Sequence, residues 1–463
     1  MAPDRAKTEE WEERIRDALG KEFSRHKELE GVKEWRSHHA LFYHFTLAKK
    51  GKRKQNLVTK YFVPPQGEDQ ASMYGFLHAP DFLFRRELAN TQLIIDNVGE
   101  VYGRNFSRKL VPHIFGSSEK YRTLVMQHLA GSNKKQELLR MREEESASAV
   151  DQSFMEGIKA VSRFDGAVNA CREAFDAKYD YRNDAVLFKG VAQHLLLENI
   201  ARVVYQLNTD CHHAVGEEFN LSKVLDYITG EIHLDLEAKL LEIKSLQSTL
   251  HTEEKLQHRD CNGLNQVGTT LLDLEDFGYA PWTDDISSYC TVVGMGNNTI
   301  IKSQDFPHFI LAYLALEHAY EHKDEEKIRK LEKATNGEFK DYVGSIMNMQ
   351  SYSHFLMGFF DLTLEKNVQL GATFSRYILQ QQTASGSATG TSKETIEELF
   401  ETITSLDKYI RACERPEEIR ELFYKKAELY NGLGITAIPA RRLEEIRSGT
   451  TGGRLDFTSP TFK

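Results

Sequence analysis

The sequence predicts an α+β protein, with a small antiparallel sheet near the N-terminus and a large, mostly helical remainder. Two observations carry this. The runs ALFYHFTL (residues 40–47) and NLVTKYFV (residues 56–63) are apolar, aromatic and β-branched, and flank a basic turn, as the arms of a hairpin do. From residue 151 to about residue 250 the apolar spacing is helical, most clearly over 190–207 and 235–244. One stretch, residues 256–289, follows neither pattern and gathers the polar chemistry of the chain.

With 463 residues, 40% hydrophobic and 28% charged, the chain is long enough for a two-lobed enzyme or for two or three domains. No uninterrupted apolar run of ~18 residues is present, so no membrane partner is expected. Residues 1–26 are too charged for a signal peptide and read as an amphipathic helix. Five scattered cysteines, an odd number, point to reduced thiols and a cytoplasmic location. A net charge of −10 argues against a nucleic-acid partner. The basic run at 49–54 reads as a solvated hairpin tip. Cys211-His212-His213 has no second ligand cluster and is not read as a zinc site.

Within the central stretch, His258, Arg259, Asp260 and Asn265 spell H-R-D-x-x-x-x-N, the catalytic-loop pattern of protein kinases. Gly268-Thr269 can turn a tight hairpin, and the apolar run that follows ends in Asp273. In phosphoryl transfer the first Asp accepts or orients the proton of the attacking hydroxyl. The Asn and the later Asp hold magnesium on the phosphates. Oxygen-bearing side chains gathered in this way suit a hard cation.

The run L-L-D-L-E (residues 271–275), with Asp285 ten residues beyond Glu275, resembles the aminoglycoside phosphotransferase and choline kinase branch of the protein-kinase-like superfamily. The resemblance implies a bilobal kinase-like fold, a catalytic Asp260, and a second Asp, Asp285, that braces the loop. It also implies ATP and Mg2+ as cofactors. A literal Asp276-Phe277-Gly278 leaves two candidates for the metal-binding carboxylate beside Asn265. Asp273 is preferred over Asp276 because it ends the apolar run and keeps the spacing to Asp285.

The same resemblance assigns further residues. Lys60, inside the second strand, reads either as an outward residue on a half-buried sheet or as the lysine that binds the ATP phosphates. Glu87, near the start of a helical run over 82–101, would pair with that lysine; alone it reads as a first-turn charge favoured by the helix dipole. Two short strands follow, within 110–116 and 123–131. The second leads toward a hinge whose backbone, Gln127 to Leu129, would meet adenine, with Gly131 turning the chain away. Two protein-kinase parts are missing: no G-x-G-x-x-G precedes Lys60, and no A-P-E follows Asp273. In place of the first, the phosphate-covering loop is expected to use backbone amides or Arg36 and Ser37.

The expected organisation is an N-terminal helix (1–26), a kinase-like N-lobe (27–131) and a helical C-lobe (132–381) that holds the catalytic stretch. A flexible linker (382–392), a helical pair (393–432) and a disordered tail (433–463) complete it. The glycine-rich 293–298 reads as a loop. Glu317, Glu321 and Asp324 read as a solvated helix face or, less simply, as groups facing a cationic acceptor. The functional reading is an ATP- and Mg-dependent phosphotransferase acting on a hydroxyl of a small molecule. The alternatives are a kinase-like nucleotide-binding scaffold that meets a protein partner through the helices at 393–432, and an atypical protein kinase.

Overall fold

The structure, a computed structural model, describes residues 5–25, 28–36, 40–48, 54–64, 79–250, 253–291, 305–381 and 388–449. The chain is mostly helical and carries one five-stranded antiparallel sheet in its N-terminal region. It divides into two compact units, Met1–Asn133 with Cys171–Tyr179 and Asn265–Phe277, and Lys134–Ala170 with Asp180–Leu264 and Gly278–Lys463.

The first unit opens with α1 (Arg5–Leu19) and strands β1 (Glu28–Arg36), β2 (Ala40–Ala48) and β3 (Gln55–Phe62). Helices α2 (Pro80–Tyr102) and α3 (Arg104–Leu110) and strands β4 (Ile114–Ser118) and β5 (Thr123–Gln127) follow, and the sheet order is β1-β2-β3-β5-β4. Alternation gives the sheet two different faces. On one, Tyr43, Phe45, Leu47, Leu57 and Val125 bury against Trp11, Ile15 and Leu19 of α1. The N-terminal helix is therefore part of the sheet's core. Gly116 is needed for this contact, since a Cβ there would lie 2.2 Å from the Ala18 carbonyl oxygen. On the other face Phe62, Leu124 and Met126 pack on Leu83 and Phe84 of α2. The expected strand at 110–116 begins later, at Ile114, because residues 104–110 form α3 and Pro112 has no N–H to donate.

The second unit contains α4 (Lys134–Glu144) and α5 (Ala147–Asn169); α6 (Arg172–Asp176) belongs to the first unit. Then come α7 (Tyr181–Leu207), α8 (Thr209–Val215), α9 (Leu221–Gly230) and α10 (Leu236–Gln247). Strand β6 (Glu254–Gln257) precedes the H-R-D-x-x-x-x-N stretch, and it pairs with β9 (Gly278–Pro281). The intervening two-residue strands β7 (Gln266–Val267) and β8 (Thr270–Leu271) lie in the first unit. Helices α11 (Asp284–Tyr289), α12 (Phe306–Glu321), α13 (Glu325–Leu331), α14 (Asn336–Ile346) and α15 (Met349–Gln381) follow. The centre of this unit is the close crossing of α5 and α12, where a Cβ on Gly166 would come within 2.4 Å of the Glu317 carbonyl oxygen.

The C-terminal region departs from the sequence expectation in two places. Helix α16 (Ala388–Ser405) takes up the second half of the expected linker, and residues 382–387 lie outside the described residues. Helices α17 (Asp407–Arg411) and α18 (Pro416–Gly432) follow, and the expected tail begins with a further helix, α19 (Ala440–Ser448). α19 forms because LEEI in its sequence places an apolar pair at helical spacing, and Ile446 is buried. Residues 450–463, and the loop at 293–298, lie outside the described residues. α18 packs on α10, and Lys426, 1% exposed, bonds Asp361 of α15 at 2.5 Å and Glu365 at 2.9 Å. Asp361 is itself fully buried.

Lys426→Ala would leave the Asp361 carboxylate buried without its cation, a loss of about 3–5 kcal/mol for a buried pair. Chemical denaturation should show that drop. Lys426→Ala, Asp361→Leu should recover part of it; a double variant no more stable than the single one would place the instability elsewhere.

Candidate functional site

Lys60 lies in a cross-strand row, Phe42–Lys60–Leu124, on the sheet face that meets α2. It is 0% exposed, so the outward-facing alternative does not hold. Phe62 and Phe42 flank its ammonium, with ring centres 4.8 Å and 5.9 Å from Nζ. The Nζ donates to Glu87 Oε2 at 2.6 Å, Asp273 Oδ1 at 2.6 Å and Glu275 Oε2 at 3.0 Å. All four residues belong to the first unit.

The turn that supplies two of these carboxylates is held from α2. Arg86 donates to the carbonyl oxygens of Glu275 at 2.6 Å and Phe277 at 3.0 Å, and Asn90 donates to that of Leu274 at 2.7 Å. Arg86 and Asn90 are four apart and so share a helix face. The expected strand ending in Asp273 is only two residues long. Asp273 then takes a left-handed backbone, φ 57°, and residues 274–276 wind into one 3-10 turn. That winding sends Asp273 and Glu275 toward Lys60 and leaves Asp276 outside the cluster. Across the hairpin, the Leu272 N–H donates to the Asn265 carbonyl oxygen at 2.8 Å, with Gly268 at φ 58° in the tip. The hairpin thus holds Asn265 beside the residue that precedes Asp273.

One ammonium among three carboxylates leaves an excess of negative charge when all are ionised. Burial alone would lower the Lys60 pKa, but Asp273, Glu275 and Glu87 together raise it well above the usual lysine range, so it stays charged. Burial pushes the Glu87 carboxyl well up; Lys60 opposes this, while Glu275 and Asp273 add to it. Oxygens of Glu87, Asp273 and Glu275 lie within 4.8 Å of one another. Such a set of hard oxygens, short of positive charge, fits a divalent cation of the magnesium type. Asp273 is the most accessible of the three, its side chain 32% exposed against 3% for Glu87 and 7% for Glu275.

At the end of β5 the Gln127 N–H donates to the His113 carbonyl oxygen at 2.9 Å, and the His128 N–H reaches that of Asn56 at 3.4 Å. Those two donors are therefore engaged within the sheet. Leu129 follows outside regular structure, half-buried, and Gly131 has φ 123°, a conformation that favours glycine. Ser37 and the side chain of Arg36 lie outside the described residues.

In the second unit, the H-R-D part of the motif forms a tight, clasped turn. Both oxygens of the buried Asp285 carboxylate accept backbone N–H groups, from His258 at 2.6 Å and Arg259 at 2.8 Å. Arg259 has φ 72°, a left-handed conformation that a bulky residue adopts only when its surroundings impose it. Asp260, next in the chain, is half-buried. Its Oδ1 accepts from Asn262 Nδ2 at 2.8 Å, and its carbonyl oxygen from the Asn262 N–H at 2.9 Å.

The acidic run on α12 is neither a solvated face nor a set of free carboxylates. Glu317 is fully buried, and Lys255 bonds it at 2.8 Å and Glu321 at 2.7 Å. Burial, opposed by Lys255, carries the Glu317 pKa to about 7. Asp324 caps α13. Sequence reasoning missed the contact of Glu275 with Lys60 and the roles of Arg86 and Asn90. The signal for the latter pair was two polar residues at helical spacing in the apolar run of α2.

No protein-family model matches the chain, and no curated protein does. Among solved structures it is similar to an ethanolamine kinase from Plasmodium vivax, at 12% identity and a TM-score of 0.39, over 80% of this chain and 81% of that one. A likeness of that size carries no assignment, so the reading of the site rests on its own residues.

Lys60→Met would leave three carboxylates without their cation and should cost about 3–5 kcal/mol in chemical denaturation. Adding Glu275→Gln should return part of that loss, because one buried charge is then removed. Equal stability of Lys60→Met and wild type would show that the lysine is not the cation of the cluster.

Proposed function

We propose that the chain is an ATP- and Mg2+-dependent phosphotransferase that moves the γ-phosphate to a hydroxyl of a small-molecule acceptor. The observation that carries the reading is the wholly buried Lys60, paired with Glu87 of a helix and with Asp273 of the turn that follows the H-R-D-x-x-x-x-N loop. Lys255 and Lys426 each contact two carboxylates, whereas the third carboxylate on Lys60 leaves negative charge for a metal ion as well.

In this reading Lys60 holds the α- and β-phosphates, and Glu87 fixes its head group. Asp273 and Asn265 hold the magnesium ion, which when bound neutralises charge on the phosphates. Asp260 accepts or orients the proton of the acceptor hydroxyl, and Asp285 holds the backbone that carries it. Among the described residues no helix is long and apolar enough to cross a membrane.

Thermal unfolding with and without Mg-ATP tests the nucleotide half. A ligand at a hundred times its dissociation constant adds about 2.7 kcal/mol. Asp273→Ala should abolish the magnesium-dependent part; the absence of any shift at millimolar Mg-ATP would overturn the reading.

Asp260→Asn tests the chemical half. Turnover with labelled ATP and a metabolite extract should fall by about two to four powers of ten, the range for loss of a general base, while Mg-ATP affinity holds. Unchanged turnover would remove Asp260 from the mechanism. Mg-ATP binding with no turnover in wild type would favour the scaffold alternative.

A further inference from the structure

The clasp on the catalytic loop has a support that the motif does not contain. Asp165, on α5, is 0% exposed, as are Asp285, Gln257 and Tyr313. Asp285 presents both carboxylate oxygens to the backbone of His258 and Arg259, while its own N–H donates to Gln257 Oε1 at 2.9 Å. Gln257 Nε2 donates to the Tyr313 hydroxyl at 3.2 Å and to the Trp282 carbonyl oxygen at 3.0 Å. The Tyr313 hydroxyl then donates to Asp165 Oδ2 at 2.8 Å. One turn along α5, Asn169 exchanges two hydrogen bonds with the backbone of Leu256, at 2.8 Å and 3.0 Å. α5 and α12 therefore hold the residues immediately before the loop through a closed set of buried polar contacts.

The remaining Asp165 oxygen, Oδ1, is buried and receives no N–H or O–H, and the Asp285 carboxylate is the charged group that acts on it most strongly. Two carboxylates cannot hydrogen-bond without a proton between them. We propose that Asp165 is a positioning residue for the catalytic loop, a neutral carboxylic acid that donates to the Asp285 carboxylate and so fixes the clasp that sets the backbone before Asp260. Asp285 keeps the charge, because two N–H groups already point at it.

The surroundings favour this division. Burial, then the Asp285 charge, raises the Asp165 pKa well above the carboxylate range. Burial also raises Asp285, with His258 opposing it. The other titratable groups facing the pair are Tyr313 and Glu317 from α12, Asp284 from α11 and Cys261 from the loop. Asp284 is itself bonded to Lys366 at 3.1 Å.

Asp165→Asn is the discriminating variant, because its amide can donate to Asp285 and accept from Tyr313 but has no proton to lose. Below the ordinary carboxylate range Asp165 is protonated in folded and unfolded chains alike. As pH rises from there to the raised folded value, only the unfolded chain gains by releasing the proton, so wild-type stability falls. The Tm of Asp165→Asn minus that of wild type should therefore grow with pH. An infrared difference spectrum at neutral pH should show a protonated-carboxyl band lost in the variant. A Tm difference flat with pH, or a spectrum without that lost band, overturns the proposal.

The kinetic arm rests on the phosphotransferase reading. Asp165→Asn should keep turnover at neutral pH, and Asp165→Ala should lower kcat by about tenfold or more with little change in the KM for Mg-ATP. If wild type turns over and Asp165→Ala matches it, the positioning role fails while the phosphotransferase reading stands. If wild type does not turn over, the phosphotransferase reading fails and the stability and infrared measurements still decide the state of Asp165.

Discussion

A lysine ammonium with no exposed surface is the constraint on which the first unit depends. Taking one such ion from water costs several kcal/mol unless charged partners replace its hydration. Lys60 finds them on two separate pieces of chain, Glu87 on α2 and the pair Asp273 and Glu275 on a turn more than two hundred residues later. That turn needs a backbone that directs two alternate side chains the same way, which the left-handed Asp273 and the single 3-10 turn provide. It also needs partners for the carbonyl groups so exposed, which Arg86 and Asn90 supply. The polar face of α2, the hairpin at 266–271 and the sheet row around Phe42 all follow from accommodating one charge.

The second unit repeats the rule with other lysines. Lys255 and Lys426 are buried, and each contacts two carboxylates. The H-R-D loop differs in kind. Its buried anion, Asp285, is held by backbone N–H groups, so the charge fixes the course of the chain and not the rotamer of a partner. Backbone anchoring of this kind holds the course of the chain up to Asp260 itself.

The sheet, α2 and most helices were legible because alternation and helical spacing are local properties of the sequence. Lys60, Glu87 and Asp273 could be named together only through the motif resemblance, since nothing local connects positions so far apart. Glu275 was visible as a letter in L-D-L-E but not as a ligand of Lys60. Its direction depends on the left-handed residue before it, and an aspartate in that conformation has no sequence signature as clear as glycine. Asp165 gave no signal beyond an acid in the more apolar C-terminal half of α5. α12 was misjudged because a charged residue paired by a lysine from another strand reads the same as a solvated one. α19 was missed because its flanks are rich in glycine and threonine, a composition that hides one short apolar stripe.

The route of the chain through the motif has a consequence for how the protein is made. Residues up to Leu264 belong to the second unit, residues Asn265–Phe277 to the first, and the chain returns to the second at Gly278. The sheet is synthesised early, yet Lys60 lacks two of its three carboxylates until more than half of the chain has emerged. A fragment ending near Asn133 would hold the complete sheet with an undercompensated lysine and with α2 presenting Arg86 and Asn90 to solvent. The polar cluster around Lys60 is thus completed only when residues 265–277 join the sheet and α2.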